Sequence, residues 1–239
     1  MTMWDGVCRN KKLVRCGDAV IDCGGDRLIT EWIDPRSYGA WRVFVESIPL
    51  ARQFAEQYRA YGFSMAHYLI YAIWGWVNKN VSYKYDEKYV DYWDDPSELY
   101  SEPRFGDCED ASILCQSAIE CALPYDVAKK FYTKLAIGYV TIQNSWYGHA
   151  WVYYYCDEPL VKKRVVLECT LDDVVKPTMF IEGVTYHPTV LATSRSYEVV
   201  CTCERCKAML AYLSGTATRE KVNWARVKLS EELKEVALW

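Results

Sequence analysis

The chain has 239 residues, 51% hydrophobic and 25% charged, with a formal net charge of −4. That length supports one substantial core, or a main domain with appendages, and the balance excludes a disordered chain. The acidic total argues against a nucleic-acid partner, which normally needs a basic face, and the lack of any long run of like charges indicates no charged tail. Aromatic residues reach 15%, with 20 tyrosines and 10 tryptophans, which serve both to fill a core and to line clefts that grip peptides or sugars.

Residues 1–12 carry Asp5, Arg9, Lys11 and Lys12 and lack the apolar centre of a signal peptide. The most apolar stretch, residues 65–77, includes His67 and is too short to span a bilayer, so it reads as a buried helix. The expectation is a cytoplasmic protein with no membrane partner. Eleven cysteines is an odd number, so at least one thiol is free or bonded outside the chain.

Residues 1–40 contain Cys8, Cys16 and Cys23 and a Gly24-Gly25-Asp26 turn, the pattern of a hairpin-like appendage. A helix is predicted over residues 41–61, and Ser64 caps a second that runs to about residue 77. Asp94-Asp95-Pro96 marks a loop. A third helix is predicted from Asp107 or Cys108 to residue 122, stopped before Pro124. Its apolar residues Ala111, Leu114, Cys115, Ala118, Ile119 and Ala122 fall on one helical face. The period then changes, and β-branched and aromatic residues mark strands at 135–142, 149–156 and 164–170, with further strands at 179–186 and 196–201. A last amphipathic helix is predicted over 218–238. Helices first and an antiparallel sheet later make an α+β fold. The expected organisation is an appendage over 1–40, a main domain over 41–200, and a cysteine cluster with a helical extension over 201–239.

Gly106-Asp107-Cys108-Glu109-Asp110 sits where a loop meets a helix. Asp107 suits the N-cap, and Glu109 and Asp110 suit the first turn. A cysteine there feels the positive end of the helix dipole, which favours the thiolate, while the flanking carboxylates oppose it. A capped helix with an incidental small residue fits the same spacing. Of the three histidines, His67 lies in an apolar helix, His187 precedes Pro188 in a turn, and His149 opens a strand able to aim its ring. Glu168 on the next strand offers an acid to fix the ring's tautomer, with Asp172 and Asp173 as reserves.

Trp76 to Tyr83, then Trp93 with Asp95-Pro96-Ser97-Glu98, then Gly106 to Asp110, and finally Gly148-His149-Ala150-Trp151-Val152, together resemble the transglutaminase-like cysteine hydrolases. The resemblance covers roughly residues 41–173. It implies a papain/transglutaminase-like α+β fold, with the nucleophile's helix packed on an antiparallel sheet and further helices C-terminal to it. It also implies a triad of Cys108, His149 and an acid. The family usually has Asp in the third place, often before Pro-Thr, whereas Glu168-Cys169-Thr170 stands here. On this resemblance Cys108 attacks a carboxamide or peptide carbonyl, His149 moves the proton, and Trp93 helps hold the oxyanion. The expected activity is hydrolysis of a peptide or protein substrate as a peptidase or amidase. A catalytically silent scaffold and a protein-glutamine acyltransferase are the alternatives.

The chemistry itself requires no cofactor. The resemblance also brings calcium into view at Asp107 and Glu109, beside Asp110, although helix capping accounts for the same acids. Cys201, Cys203 and Cys206 form a close thiol cluster that a structural zinc would suit, with a fourth ligand from Cys8, Cys16, Cys23 or His187. A disulfide or plain buried thiols are the other readings.

Overall fold

A computed structural model describes residues 9–16, 19–25, 29–84, 90–123, 131–142, 145–156, 164–170 and 184–201. The N-terminal segment is a hairpin of β1 (Arg9–Cys16) and β2 (Ala19–Gly25). Gly24 and Gly25, expected in a turn, are the last residues of β2 instead, with Gly25 paired to Arg9. A short α1 (Ile29–Trp32) leads into α2 (Tyr38–Gln57), where the Ser37 hydroxyl accepts from the Ala40 amide at 3.1 Å. The predicted helix over 41–61 thus starts earlier and ends at Gln57, followed by a 3-10 turn over Arg59–Tyr61. Ser64 caps α3 (Met65–Asn80) as expected, and the helix runs three residues beyond its predicted end.

Next come β3 (Ser82–Tyr83), β4 (Val90–Tyr92), α4 (Pro96–Tyr100) and β5 (Phe105–Gly106). Asp95 starts α4 firmly: its carboxylate accepts from the Ser97 and Glu98 amides, and Pro96 occupies the first helical position. β3 and β5 pair in parallel, and β4 pairs in parallel with β2. β5 runs directly to α5 (Cys108–Ala122), which occupies the predicted span.

The main sheet holds β6 (Phe131–Ile142), β7 (Ser145–Cys156), β8 (Arg164–Leu167), β9 (Val184–Ala192) and β10 (Tyr197–Val199). Its order is β10-β9-β6-β7-β8, and every pair is antiparallel. The α+β expectation holds at that level. The predicted C-terminal helix over 218–238 lies outside the described residues.

Alternation along β7 sorts its side chains between two cores. Ala150, Val152 and Tyr154 pack with the helices, in clusters that include Val43, Ile73, Trp74, Ile113 and Leu114. Trp151 and Tyr153 pack on the opposite face with Val140, Val166 and Leu191. One residue apart therefore means opposite sides of the sheet, which governs how the site is assembled.

Two elements depart from their sequence patterns. α5 was expected to bury one face, yet every residue from Cys108 to Ile119 is buried. Two of its polar residues find partners inside, Ser117 Oγ accepting from the Asp34 amide at 3.0 Å and Gln116 Nε2 donating to Glu120 at 2.8 Å, while Ser112 Oγ and Gln116 Oε1 are buried without a hydrogen-bond partner among the described residues. β9 was expected to stop before a turn at His187-Pro188, but it continues through both residues. A register shift between Ile137 and Gly138 accommodates the proline, whose missing N–H is tolerated at such a bulge.

Candidate active site

Cys108 is the first residue of α5, and the adjoining chain is pinned by one carboxylate. Asp110 Oδ2 accepts from the Asp107 amide at 3.1 Å, and its Oδ1 accepts from the Asp94 amide at 2.7 Å. The same side chain therefore fixes the helix start and the segment that carries Trp93. Trp93 packs in the cluster that contains Cys108, with its ring edge-on to Trp32 at 5.8 Å between centroids.

His149 stands on β7 opposite Gly138 of β6. A side chain at Gly138 would meet the His187 carbonyl oxygen at 2.2 Å, so glycine lets β9 come close beneath the histidine. The imidazole stacks on Trp151 at 6.0 Å, and its Nε2 lies 2.8 Å from Glu168 Oε2. An ionised carboxylate only accepts, so Nε2 carries the hydrogen and Nδ1 is left as the basic nitrogen. Both residues are buried, Glu168 to 1% exposure.

Glu168 was expected inside a strand but lies one residue past β8, where the chain turns. That turn serves it well. Its Oε1 accepts from the Thr170 hydroxyl at 2.8 Å and the Thr170 amide at 3.2 Å, and Oε2 also accepts from the Tyr186 hydroxyl at 3.0 Å. Its backbone carbonyl is held by Trp74 Nε1 at 2.6 Å and Asn78 Nδ2 at 3.0 Å, which ties the turn to α3. Burial opposes the charge on Glu168, but His149, Thr170 and Tyr186 together hold its carboxyl below the ordinary carboxylate range. The reserves Asp172 and Asp173 lie outside the described residues.

The sulfur of Cys108 sits against the backbone amide of Ala150, the residue that follows His149. Helix start and histidine strand therefore meet at this point, but no hydrogen bond joins Cys108 to His149, whose ring stacks on Trp151 on the opposite face of the sheet. The thiol's own hydrogen bond goes to Glu109 Oε2, at 3.0 Å. Burial above all, then the charges of Glu109 and Asp107, push the thiol well above its usual range, and the Ala150 amide pulls the other way. Burial and the acids outweigh the Ala150 amide, and the resting group is an S–H. Cys108 is 7% exposed, so access to it is narrow.

The other sequence candidates separate from this group. His67 is a core residue, its Nδ1 2.6 Å from the Tyr154 hydroxyl. His187 stacks on Trp146 at 4.4 Å, with Nε2 3.0 Å from Thr141 Oγ1. Cys201 is disulfide-bonded, so its sulfur is no thiolate ligand for the proposed zinc cluster, and Cys203 and Cys206 lie outside the described residues. Near the helix start, donor atoms of Asp107, Cys108 and Glu109 lie within 4.8 Å of one another. The two carboxylates are the hard oxygen donors that calcium takes, whereas the sulfur is not.

Tyr186 and Thr170 were missed as site residues by sequence reasoning. Thr170 lies two residues from the acid and fits the local side-chain-to-backbone habit of threonine. Tyr186 carried no such signal, because only the strand order brings it near. Comparison with known protein families, curated proteins and solved structures gave no match to this chain.

Proposed function

We propose that this chain is a cysteine-nucleophile hydrolase, a peptidase or amidase of transglutaminase-like organisation. The observation that carries the reading is the buried His149–Glu168 pair, which leaves Nδ1 basic on the strand residue next to Ala150, whose amide touches the Cys108 sulfur. This reading requires the Cys108 thiol to leave Glu109 and the His149 ring to come within reach of it, after which Nδ1 takes the proton as sulfur attacks the carbonyl carbon. A thioester forms, the imidazolium returns its proton to the leaving amine, and water then releases the acid. Glu168 stays ionised throughout and steadies the imidazolium. The Cys108 amide belongs to the first helical turn, where amides lack intrahelical partners, and with Trp93 it is the candidate oxyanion donor.

The resting S–H motivates one addition. Calcium held by Asp107 and Glu109 would neutralise charge beside Cys108 and lower the thiol's pKa. Cys108 alkylation measured in calcium and in chelator tests this, and equal rates would refute it.

The buried thiol, bonded to Glu109 rather than poised as an anion, favours a second reading, a catalytically silent binding module. A peptide library offered with and without a labelled primary amine separates the readings, with Cys108→Ala as control. Cleaved or deamidated product that depends on Cys108 supports the hydrolase. Labelled product accumulating faster indicates acyl transfer, and no product from either assay supports the silent module.

A further inference from the structure

We propose that Tyr186 is the positioning residue of the His149–Glu168 pair, acting through the carboxylate from two strands away. Its importance for turnover rests on the hydrolase reading, whereas its hold on the pair does not.

Tyr186 lies on β9, opposite Val140 of β6, and β6 in turn pairs with β7. Its hydroxyl must therefore cross the sheet's outer face to reach Glu168, beyond the end of β8. Trp151 makes that crossing rigid. The Tyr186 ring meets it edge-on at 5.0 Å, while His149 stacks on the same indole at 6.0 Å. Imidazole, indole and phenol thus form one packed row, and the two polar ends converge on the single oxygen Oε2 of Glu168.

Sharing that oxygen has a chemical consequence. A buried carboxylate with one donor would lean on His149 alone, and its charge would depend on the ring. Here the Tyr186 hydroxyl and the two Thr170 donors satisfy the carboxylate independently, so it remains ionised while the ring is neutral. Oε2 is also fixed in space by a group on a different strand. Nε2–H is therefore held on a preset line, and Nδ1 is aimed by default. Burial and Glu168 push the Tyr186 hydroxyl well above the usual tyrosine range, so it remains a donor at any working pH.

The test compares Tyr186→Phe, which removes only the oxygen, with Tyr186→Leu, which also removes the ring. Two readouts are used, steady-state kinetics over pH and the NMR signal of the His149 Nε2–H, assigned by its loss in Glu168→Gln. In Tyr186→Phe, kcat is expected to fall about tenfold, the equivalent of one pKa unit, with KM little changed. The acidic limb of the pH profile should move to higher pH, because the carboxylate loses a donor to its charged form. The Nε2–H signal should be lost at a correspondingly higher pH. If Tyr186→Phe matches wild type in both readouts while Tyr186→Leu does not, the ring only packs and the proposal is overturned. If wild-type protein shows no turnover above Cys108→Ala, the hydrolase reading fails. The NMR titration then decides the proposal alone: a shift upholds it and no shift overturns it.

Discussion

At Cys108 the local chemistry works against the charge that a thiol nucleophile requires. Glu109 raises the thiol both through its charge and by accepting a hydrogen bond from it. Glu109→Gln removes that charge, so iodoacetamide labelling of Cys108, mapped by mass spectrometry, is expected to speed up at neutral pH by about tenfold per unit of pKa recovered. An unchanged rate would show that burial alone governs the sulfur. Glu168 presents the opposite case, a carboxyl held below its ordinary value. The stability it contributes is complete above about pH 4.3 and is lost as pH falls through its lower folded value. Glu168→Gln should therefore flatten the acid side of the stability profile and, on the hydrolase reading, should lower turnover by about a hundredfold to ten-thousandfold by loosening the base. If the acid transition kept its shape, Glu168 would not be the buried anion described. The sequence pointed to Cys108, His149 and Glu168 because each sits within a recognisable local string. It was silent on the thiol's protonation and on Tyr186, since these depend on burial and strand order.

Among the elements, the helices were the more legible. Ser64 and the start at Cys108 are fixed by capping chemistry within a few residues, and sequence displays such chemistry directly. The all-round burial of α5 was hidden, because polar residues such as Gln116 and Ser117 imitate a solvent face when their partners are distant. β9 was misjudged at His187-Pro188 for a related reason: the bulge that admits the proline is made with Gly138, far away in the chain. That contact yields a prediction. A methyl group at residue 138 would lie 2.2 Å from a backbone oxygen, which cannot rotate away. Gly138→Ala is expected to destabilise the protein by about 1–3 kcal/mol in chemical denaturation and to disturb the His149 ring signal. Wild-type stability together with an unmoved signal would contradict this close approach.

The molecule as a whole is organised around β6, which pairs with β7 on one edge and β9 on the other. Its amides over residues 135–142 should be the last in the sheet to exchange with deuterium, whereas the three-residue edge strand β10 exchanges early. Exchange of the two at equal rates would argue against this order. β9 joins the sheet between strands made before and after it, and this affects the chain during its synthesis. At about 5–20 residues per second, Tyr186 is added roughly 4–16 seconds after Cys108. Until then β6 has an open edge, ready to pair with any extended chain nearby. Glu168 follows Cys108 into the chain, and until Tyr186 is added, 18 residues after it, the carboxylate lacks its tyrosine donor. On the hydrolase reading, a nascent or prematurely terminated chain holds its nucleophile in an unfinished site, and the last strand to reach β6 both seals that edge and arms the enzyme.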